Sequence, residues 1–272
     1  MRYNLKEIKQ VLEIARPNQF NQRFITVTET KTYDDYWQLD WKEFIVACDT
    51  HSPFVHKRML NLMLKMAEKY KIPNFIHAGD FWNQDTFSTW WVAREDMVTF
   101  SKEVKESKNI VKSLNEVFEN VHFFLGSHDL RFWRLMYSIG KSDDYMTVWD
   151  LLENDKIKTS SYRYAEIGTE WRINHPKNTV KVGGLPAVRM GAKFGRSIVF
   201  GHGHWWGIIG DPSGKHYLCA PGCLCDSKKI AYKNLWDTSH DEWKNGFLYV
   251  ENGNIPHLID EKIAQSKFGI KG

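Results

Sequence analysis

Four short segments of the chain end abruptly in residues that can bind a metal ion. Phe44-Ile45-Val46-Ala47-Cys48 runs into Asp49-Thr50-His51, and Asn74-Phe75-Ile76-His77-Ala78 runs into Gly79-Asp80. Val121-His122-Phe123-Phe124-Leu125 runs into Gly126-Ser127-His128-Asp129, and Ser197-Ile198-Val199-Phe200 runs into Gly201-His202-Gly203-His204. Each is an apolar run of strand length, broken at once by Asp or His and often across a glycine. His175 adds a further group at the end of a strand-like segment, 170–174. Carboxylate oxygens and imidazole nitrogens gathered in one cleft suit Mn, Fe, Zn, Ni or Co better than Mg or Ca. Asp49, His51, Asp80, His128, Asp129, His175, His202 and His204 together offer more donors than one ion needs. A pair of divalent ions roughly 3.5–4 Å apart, bridged by one carboxylate, uses such a set and suits in-line displacement at phosphorus. Taken singly these motifs are common loop decoration. Alternate histidines after an apolar run are more telling, because they seldom serve packing.

For these groups to meet, the apolar runs must be neighbouring strands whose carboxyl ends share one edge of a sheet. From Phe44 onward the pattern alternates strand and helix as that requires. A helix begins at Pro53 with Val55, Met59, Leu60, Met63, Leu64 and Ala67 on one face, and stops before Pro73. A longer helical region covers 93–119, with Val98, Val104, Ile110, Val111, Leu114 and Phe118 inward. This βαβαβ order predicts a parallel sheet with helices on its faces. Beyond Asp129 the spacing predicts short helices at 130–137 and 144–152, then strands at 162–167 and 170–174. After His204 it predicts hairpin strands at 215–220, 246–251 and 254–259, the last two joined by the turn pair Asn252-Gly253. Residues 1–42 read as an N-terminal extension packed on the core, with a helix through Leu5, Ile8, Val11, Leu12 and Ala15 and a strand at 24–28. Residues 43–272 read as the main domain.

Composition sets looser bounds. The chain has 272 residues, 42% hydrophobic and 26% charged, which is ordinary for a globular protein. Its apolar runs are too short to span a bilayer, and the opening residues lack a signal-peptide core, so an intracellular setting is expected. A net charge of +4 permits a polyanionic partner without requiring one. Four cysteines are too few for a disulfide scaffold. Three of them crowd into Cys219-Ala220-Pro221-Gly222-Cys223-Leu224-Cys225, which lacks the spacing of a paired Cys-x-x-Cys zinc site. They read as core thiols at a strand end.

The motifs Asp49-Thr50-His51, Gly79-Asp80, Gly126-Ser127-His128-Asp129, His175 and Gly201-His202-Gly203-His204 resemble, in this order, those of the calcineurin-like metallophosphoesterases. The likeness covers about 44–224, and the general look is similar to small phage or bacterial members. Ala220-Pro221-Gly222-Cys223 is similar to the family's Asn-Pro-Gly-Ser strand end, with Ala for Asn and Cys for Ser. The resemblance implies an α/β fold of four layers, α/β/β/α, with two sheets sandwiched between helices. It also implies a cytoplasmic hydrolase (or one in a host's cytoplasm) that uses two divalent ions, Mn2+ ahead of Fe, Zn, Ni or Co. Asp49, His51 and His204 would hold the first ion, Asp80 would bridge, and His175 and His202 would hold the second. The attacking group would be a hydroxide between the ions. His128 would stand over the phosphate and donate a proton to the leaving oxygen, and Asp129 would orient it through the ring's other nitrogen.

The chain departs from the family at Ser127, where the pattern has an Asn whose carbonyl oxygen is a ligand of the second ion. A shorter hydroxyl predicts a water in the gap or a more weakly held second ion. A natural variant, a one-metal enzyme and a chain altered to slow turnover all remain open. Arg131 and Arg134, three apart on one helical face, suit phosphate capture, and Trp82 and Trp205 suit base stacking. The same residues also suit a solvated face and core packing. The leading expectation is a phosphodiesterase acting on nucleic acid or a nucleotide, with nuclease favoured. A phosphomonoesterase is the first alternative. A scaffold that kept the fold without the chemistry is the second, and the full set of ligand histidines weighs against it. His56, His77, His122, His216, His240 and His257 fit no ligand position and are expected to pack or face solvent.

Overall fold

The computed structural model describes residues 32–88, 97–138, 149–177, 191, 193–211, 213–234 and 243–271. The chain divides into two units, Met1–Asp35 and Tyr36–Gly272. Of the first unit only 32–35 are described, where the Thr32 hydroxyl donates to Asp34 at 3.1 Å. The helix and strand expected within 1–31, His240, and most of the helix expected at 144–152 lie outside the described residues.

The larger unit is α/β and is built on two mixed sheets. The chain enters through β1 (Gln38–Leu39) and lays down β2 (Phe44–Ala47), β3 (Asn74–Ala78), β4 (Asn120–Phe124) and β5 (Ile157–Ser160) as parallel neighbours. It then crosses to the second sheet with β6 (Tyr164–Ile167), β7 (Trp171–Asn174), β8 (Ser197–Phe200), β9 (Trp206–Gly210) and β10 (Tyr217–Pro221), in the spatial order β1-β6-β7-β8-β10-β9. It returns to the first sheet as the antiparallel hairpin β11 (Phe247–Glu251) and β12 (Ile255–Ile259), with β11 against β2. Asn252 and Gly253 at the turn both have positive φ, the geometry that favours this pair in two-residue hairpins. The expected parallel sheet is therefore four parallel strands with an antiparallel edge pair.

Side-chain alternation divides the core in two. Phe44, Val46, Ile76 and Phe124 turn toward the second sheet and pack with Ala165, Ile173, Val199 and Leu248. Ile45, Ala47, Phe75 and Phe123 turn the other way, against helices α1 (Lys57–Tyr70) and α2 (Phe100–Val117), through Met59, Met63, Met66, Ile110 and Leu114. Strands buried on both faces read as the near-continuous apolar runs seen in the sequence. On the outer face of the second sheet, Ile198, Phe200 and Leu218 meet Phe194 and Trp205. Among the described residues no helix is long and apolar enough to cross a membrane.

Register brings the chemical groups together. Ala47 pairs with His77 and His77 with Phe123, so β2, β3 and β4 end level. Asn174 pairs with Phe200, so His175 and Gly201 leave the second sheet side by side.

Several boundaries differ from expectation for local reasons. Helix α1 starts at Lys57, not Pro53, because His56 caps it, its Nδ1 accepting from Met59 N at 3.2 Å. Leu62 and Met66 are buried there, and Leu64 only partly. Helix α2 starts at Phe100, with Thr99 extended before it. Strands β1, β5 and β9 had no clear signal: β1 has two residues, and β9 is a largely exposed edge with glycines at 207 and 210. A closing helix, Glu261–Ser266, was also unmarked; Asp260 caps it by accepting from Ile263 N at 2.8 Å.

Candidate metal centre

The loops leaving β2 and β3 are zipped together. Asp49 N donates to Gly79 O at 3.0 Å, His51 N to Asp80 O at 3.1 Å and Ser52 N to Phe81 O at 2.7 Å. Nine non-glycine residues among those described have positive φ, and Asp49, His51, Asp80, His202 and His204 are five of them. Each such position costs about 1 kcal/mol or more and persists only where its surroundings impose it. Its concentration here marks a site built for side-chain direction. Gly79 (φ 85°) and Gly126 are required by crowding, since a Cβ at Gly79 would lie 2.5 Å from the His175 ring and one at Gly126 would strike Asp80.

The candidate donor groups converge. Asp49, His51 and His204 present atoms within 4.8 Å of one another, as do Asp80, His175 and His202, and Asp80, His51 and His128. His204 Nε2 is 3.4 Å from Asp49 Oδ1 and 3.3 Å from His51 Nε2. His175 Nε2 lies 3.3 Å, and His202 Nδ1 3.5 Å, from Asp80 Oδ2. Asp49 also receives His202 N at 2.9 Å. Asp49, His51, Asp80, His175 and His204 are all buried, and His202 is partly so.

The tautomer of His175 decides what this cluster needs. Its Nδ1 is 2.7 Å from the Ala78 carbonyl, which can only accept, so Nδ1 carries a proton. Nε2 is buried without a hydrogen-bond partner and faces the Asp80 carboxylate. A lone pair aimed at an anion in a buried site calls for a cation between them, either a second proton or a metal ion. In the protein alone the proton serves. Burial works against charge on His175, and the Asp80 carboxylate more than reverses it, raising the ring above the usual range. Burial likewise opposes charge on His204, and Asp49 carries it up to about 10. Against their own burial, Asp49 and Asp80 are held below the carboxylate range by His204 and His175 respectively. Mixed N/O donors arranged as two anion–imidazole pairs fit divalent transition ions, which would take the place of those protons.

The chain matches no protein-family model and no curated protein.

Other expected residues behave differently. Asp129 does not orient His128. Both of its oxygens take backbone N–H groups, Oδ2 from Asp80 at 2.8 Å and Gly126 at 2.7 Å, Oδ1 from Trp82 at 2.9 Å. Burial and then the Asp80 charge push its carboxyl up to about 7, and the Trp82 and Gly126 N–H groups work against that. His128 is instead oriented by the Asn83 carbonyl, 2.9 Å from its Nδ1, and its Nε2 faces Arg131 Nη2 at 3.2 Å. Burial and then the Arg131 charge hold His128 down to about 3, so the ring is neutral and accepts from the guanidinium.

Ser127 Oγ donates to Asp80 Oδ2 at 3.0 Å, and the His128 N–H reaches Asp80 Oδ1 at 2.7 Å. Arg131 sits in the site, bonded to Asn83 O at 2.9 Å and Asp85 at 3.2 Å. Arg134, on the same helix α3 (Arg131–Ser138), is exposed to solvent. Trp82 is wholly buried against Phe81 and Phe100, so it cannot stack a base. Trp205 is partly buried, edge-on to Phe200 and close against Gly203. Of the remaining histidines, His77 bonds Thr50 and stacks on Phe123, and His122 lies between Trp37 and Trp41.

Two supports had no place in the sequence reading. Asn83 touches His51 through its side chain (3.3 Å) and His128 and Arg131 through its carbonyl. Glu103, buried on α2, holds that loop by accepting Asn83 N at 2.9 Å and Gln84 N at 2.8 Å. A signal existed, since Glu103 lies on the inward stripe with Phe100, Ser107, Ile110 and Leu114.

Burial raises the Glu103 carboxyl to about 8 against the pull of those two N–H groups. A carboxyl raised on folding contributes stability that is complete below its unfolded value and fades as pH climbs toward 8. Glu103→Gln keeps an acceptor but does not titrate. Between pH 5 and 9 the native protein is therefore expected to lose on the order of 4 kcal/mol relative to this variant, read from urea midpoints. Parallel pH profiles would show that Glu103 does not ionise in this range.

Proposed function

We propose that the protein is a divalent-metal phosphoesterase of the calcineurin-like kind, with the four-layer sandwich that the family resemblance implies, cleaving phosphodiester bonds in nucleic acid or a nucleotide. The observation that carries this reading is the buried His175 Nε2 set against the Asp80 carboxylate, beside the matching His204–Asp49 pair. Asp49, His51 and His204 would hold one ion, His175 and His202 another, with Asp80 between. Bound there, the ions would polarise a phosphate and lower the pKa of water. The chain's own residues do the rest. Asn83 fixes His128 with Nε2 toward Arg131, and Asn83 and Asp85 hold Arg131 beside it. A phosphate oxygen would draw the guanidinium away from His128, and the added negative charge would favour a proton on Nε2 for the leaving oxygen. Base stacking falls to exposed aromatics of α3. Trp133 and Tyr137 are 44% and 63% exposed and stack at 5.6 Å, next to Arg134.

The test is a Mn2+-dependent panel of bis-p-nitrophenyl phosphate, single- and double-stranded DNA, RNA, a cyclic dinucleotide and p-nitrophenyl phosphate. Diester cleavage abolished by chelator and restored by Mn2+ is expected. Faster monoester cleavage would make the protein a phosphomonoesterase, and inertness toward every substrate with metal bound would remove the enzymatic reading altogether. Ser127→Asn supplies a carbonyl oxygen in place of a hydroxyl already engaged with Asp80. Mn2+ affinity at the second position is expected to rise on the order of tenfold in calorimetry, with turnover following. If neither rises, Ser127 is no handicap.

A further inference from the structure

Two thiols of the Cys219–Cys225 segment lie beside a histidine. Cys223, Cys225 and one nitrogen of His204 present ligand atoms within 4.8 Å of one another, all buried. Cys225 Sγ is 4.0 Å from His204 Nδ1, the ring nitrogen turned away from Asp49. The donor missing from the cysteine spacing is thus supplied by the Gly-His-Gly-His loop. The backbone around the thiols is already fixed. Asn245 Nδ2 donates to Cys223 O at 3.0 Å and Cys225 O at 2.6 Å, and Cys223 N donates to Lys244 O at 3.0 Å. The Cys223 sulfur has long contacts, 3.9 Å to Cys225 O, 3.7 Å to Lys244 O and 3.6 Å from Asn245 Nδ2, so ligating an ion forfeits no strong hydrogen bond. Trp243 covers His204 with ring centroids 3.7 Å apart and shields the group from water.

We propose that Cys223, Cys225 and His204 Nδ1 form a site for a thiophilic d10 cation, Zn2+ or Cd2+, in competition with the dinuclear centre for His204. Two thiolates and one imidazole leave a fourth position, as in Cys2His zinc sites. The proton balance dictates the competition. Binding needs two thiolates and the Nδ1 lone pair, so it releases whatever protons those three atoms carry, the extra proton of a cationic His204 included, and the one ring proton left sits on Nε2. There it points at Asp49 Oδ1, 3.4 Å away, and His204 is withdrawn from the first ion. One neutral imidazole cannot serve both sites. The thiol site itself does not depend on phosphoesterase activity; only the competition rests on reading His204 as a ligand of the first ion.

The experiment is a Cd2+ titration of the full chain in a thiol-free reductant, followed by the ultraviolet thiolate-to-cadmium charge-transfer band. A band saturating at one ion per chain is expected. It should vanish in the Cys223→Ser/Cys225→Ser double variant and persist in Cys219→Ser and Asp80→Asn. Cadmium NMR of the unmodified protein gives a second reading that needs no variant, because two sulfur ligands move the resonance far from that of a nitrogen–oxygen site. Excess Mn2+ should shift the band to higher Cd2+ concentration, and Asp49→Asn should remove that shift. Cd2+ binding without a thiolate band or a sulfur-shifted resonance overturns the site, as does a band that survives the double variant. Indifference to Mn2+ overturns the sharing of His204. A persistent thiolate band in a protein that cleaves no phosphoester would leave this site standing and remove only the enzymatic reading.

Discussion

Asp129→Ala is expected to destabilise the protein by on the order of 3–5 kcal/mol, and to do so whether or not metal is present. The carboxylate gathers the N–H groups of Asp80, Trp82 and Gly126 and so fastens the β3 loop to the β4 loop. Asp129, Trp82 and Asp80 are all buried, so removing the acceptor strands three donors away from water. Each stranded donor costs about 1–3 kcal/mol, less whatever the loop recovers by relaxing. Asn is a poor substitute, because its amide nitrogen would face donors wherever it is placed. Urea denaturation gives the stability, and Mn2+ calorimetry shows whether loosening Asp80 weakens metal binding with it. The outcome separates two roles for the residue. A group that only orients a catalytic histidine would leave stability within about 1 kcal/mol and lower turnover alone, and that result would sink the clamp.

This divergence shows what kind of information the sequence carries. Asp49, His51, Asp80, His202 and His204 were legible because each directly follows an apolar strand. Parallel pairing in level register then delivers whatever follows those strands to one edge. Partnerships within a loop were not legible. His128 and Asp129 are neighbours in the chain, yet one side chain faces Asn83 and Arg131 and the other turns to the backbone of the loop that follows β3. Trp82 lies two residues after Asp80 and was expected at the rim, but the chain turns inward there and the ring is lost in the aromatic core with Phe81 and Phe100. Glu103 acts across 20 residues of sequence on a loop that no local pattern ties to α2. Cys223 and Cys225 gained a histidine only because the second sheet places β8 beside β10.

The strongest effect on binding is expected from Asp80, the carboxylate proposed to lie between the ions. In the protein alone, Asp49 and Asp80 are each balanced by an imidazole, His204 raised to about 10 and His175 raised above its usual range. A metal ion enters by displacing those protons, so Mn2+ affinity should climb with pH across the neutral range, by up to about tenfold per unit for each proton released. At free Mn2+ about 100 times the dissociation constant, the bound ion should add about 2.7 kcal/mol to stability, visible as a rise in melting temperature. Asp80→Asn removes the one charge that both ions would share. It also leaves His175 Nε2 without the carboxylate that raises it, so the proton is lost as well as the metal. Mn2+ affinity is expected to fall about 100-fold or more, with the melting shift abolished and hydrolysis gone. Binding that ignores pH, or an Asn variant that still gains stability from Mn2+, would mean that the carboxylate–imidazole pairs are ordinary buried ion pairs. The side chains of Asp49 and Asp80 would then owe their positions to packing, and the positive φ at both residues would be left without a cause.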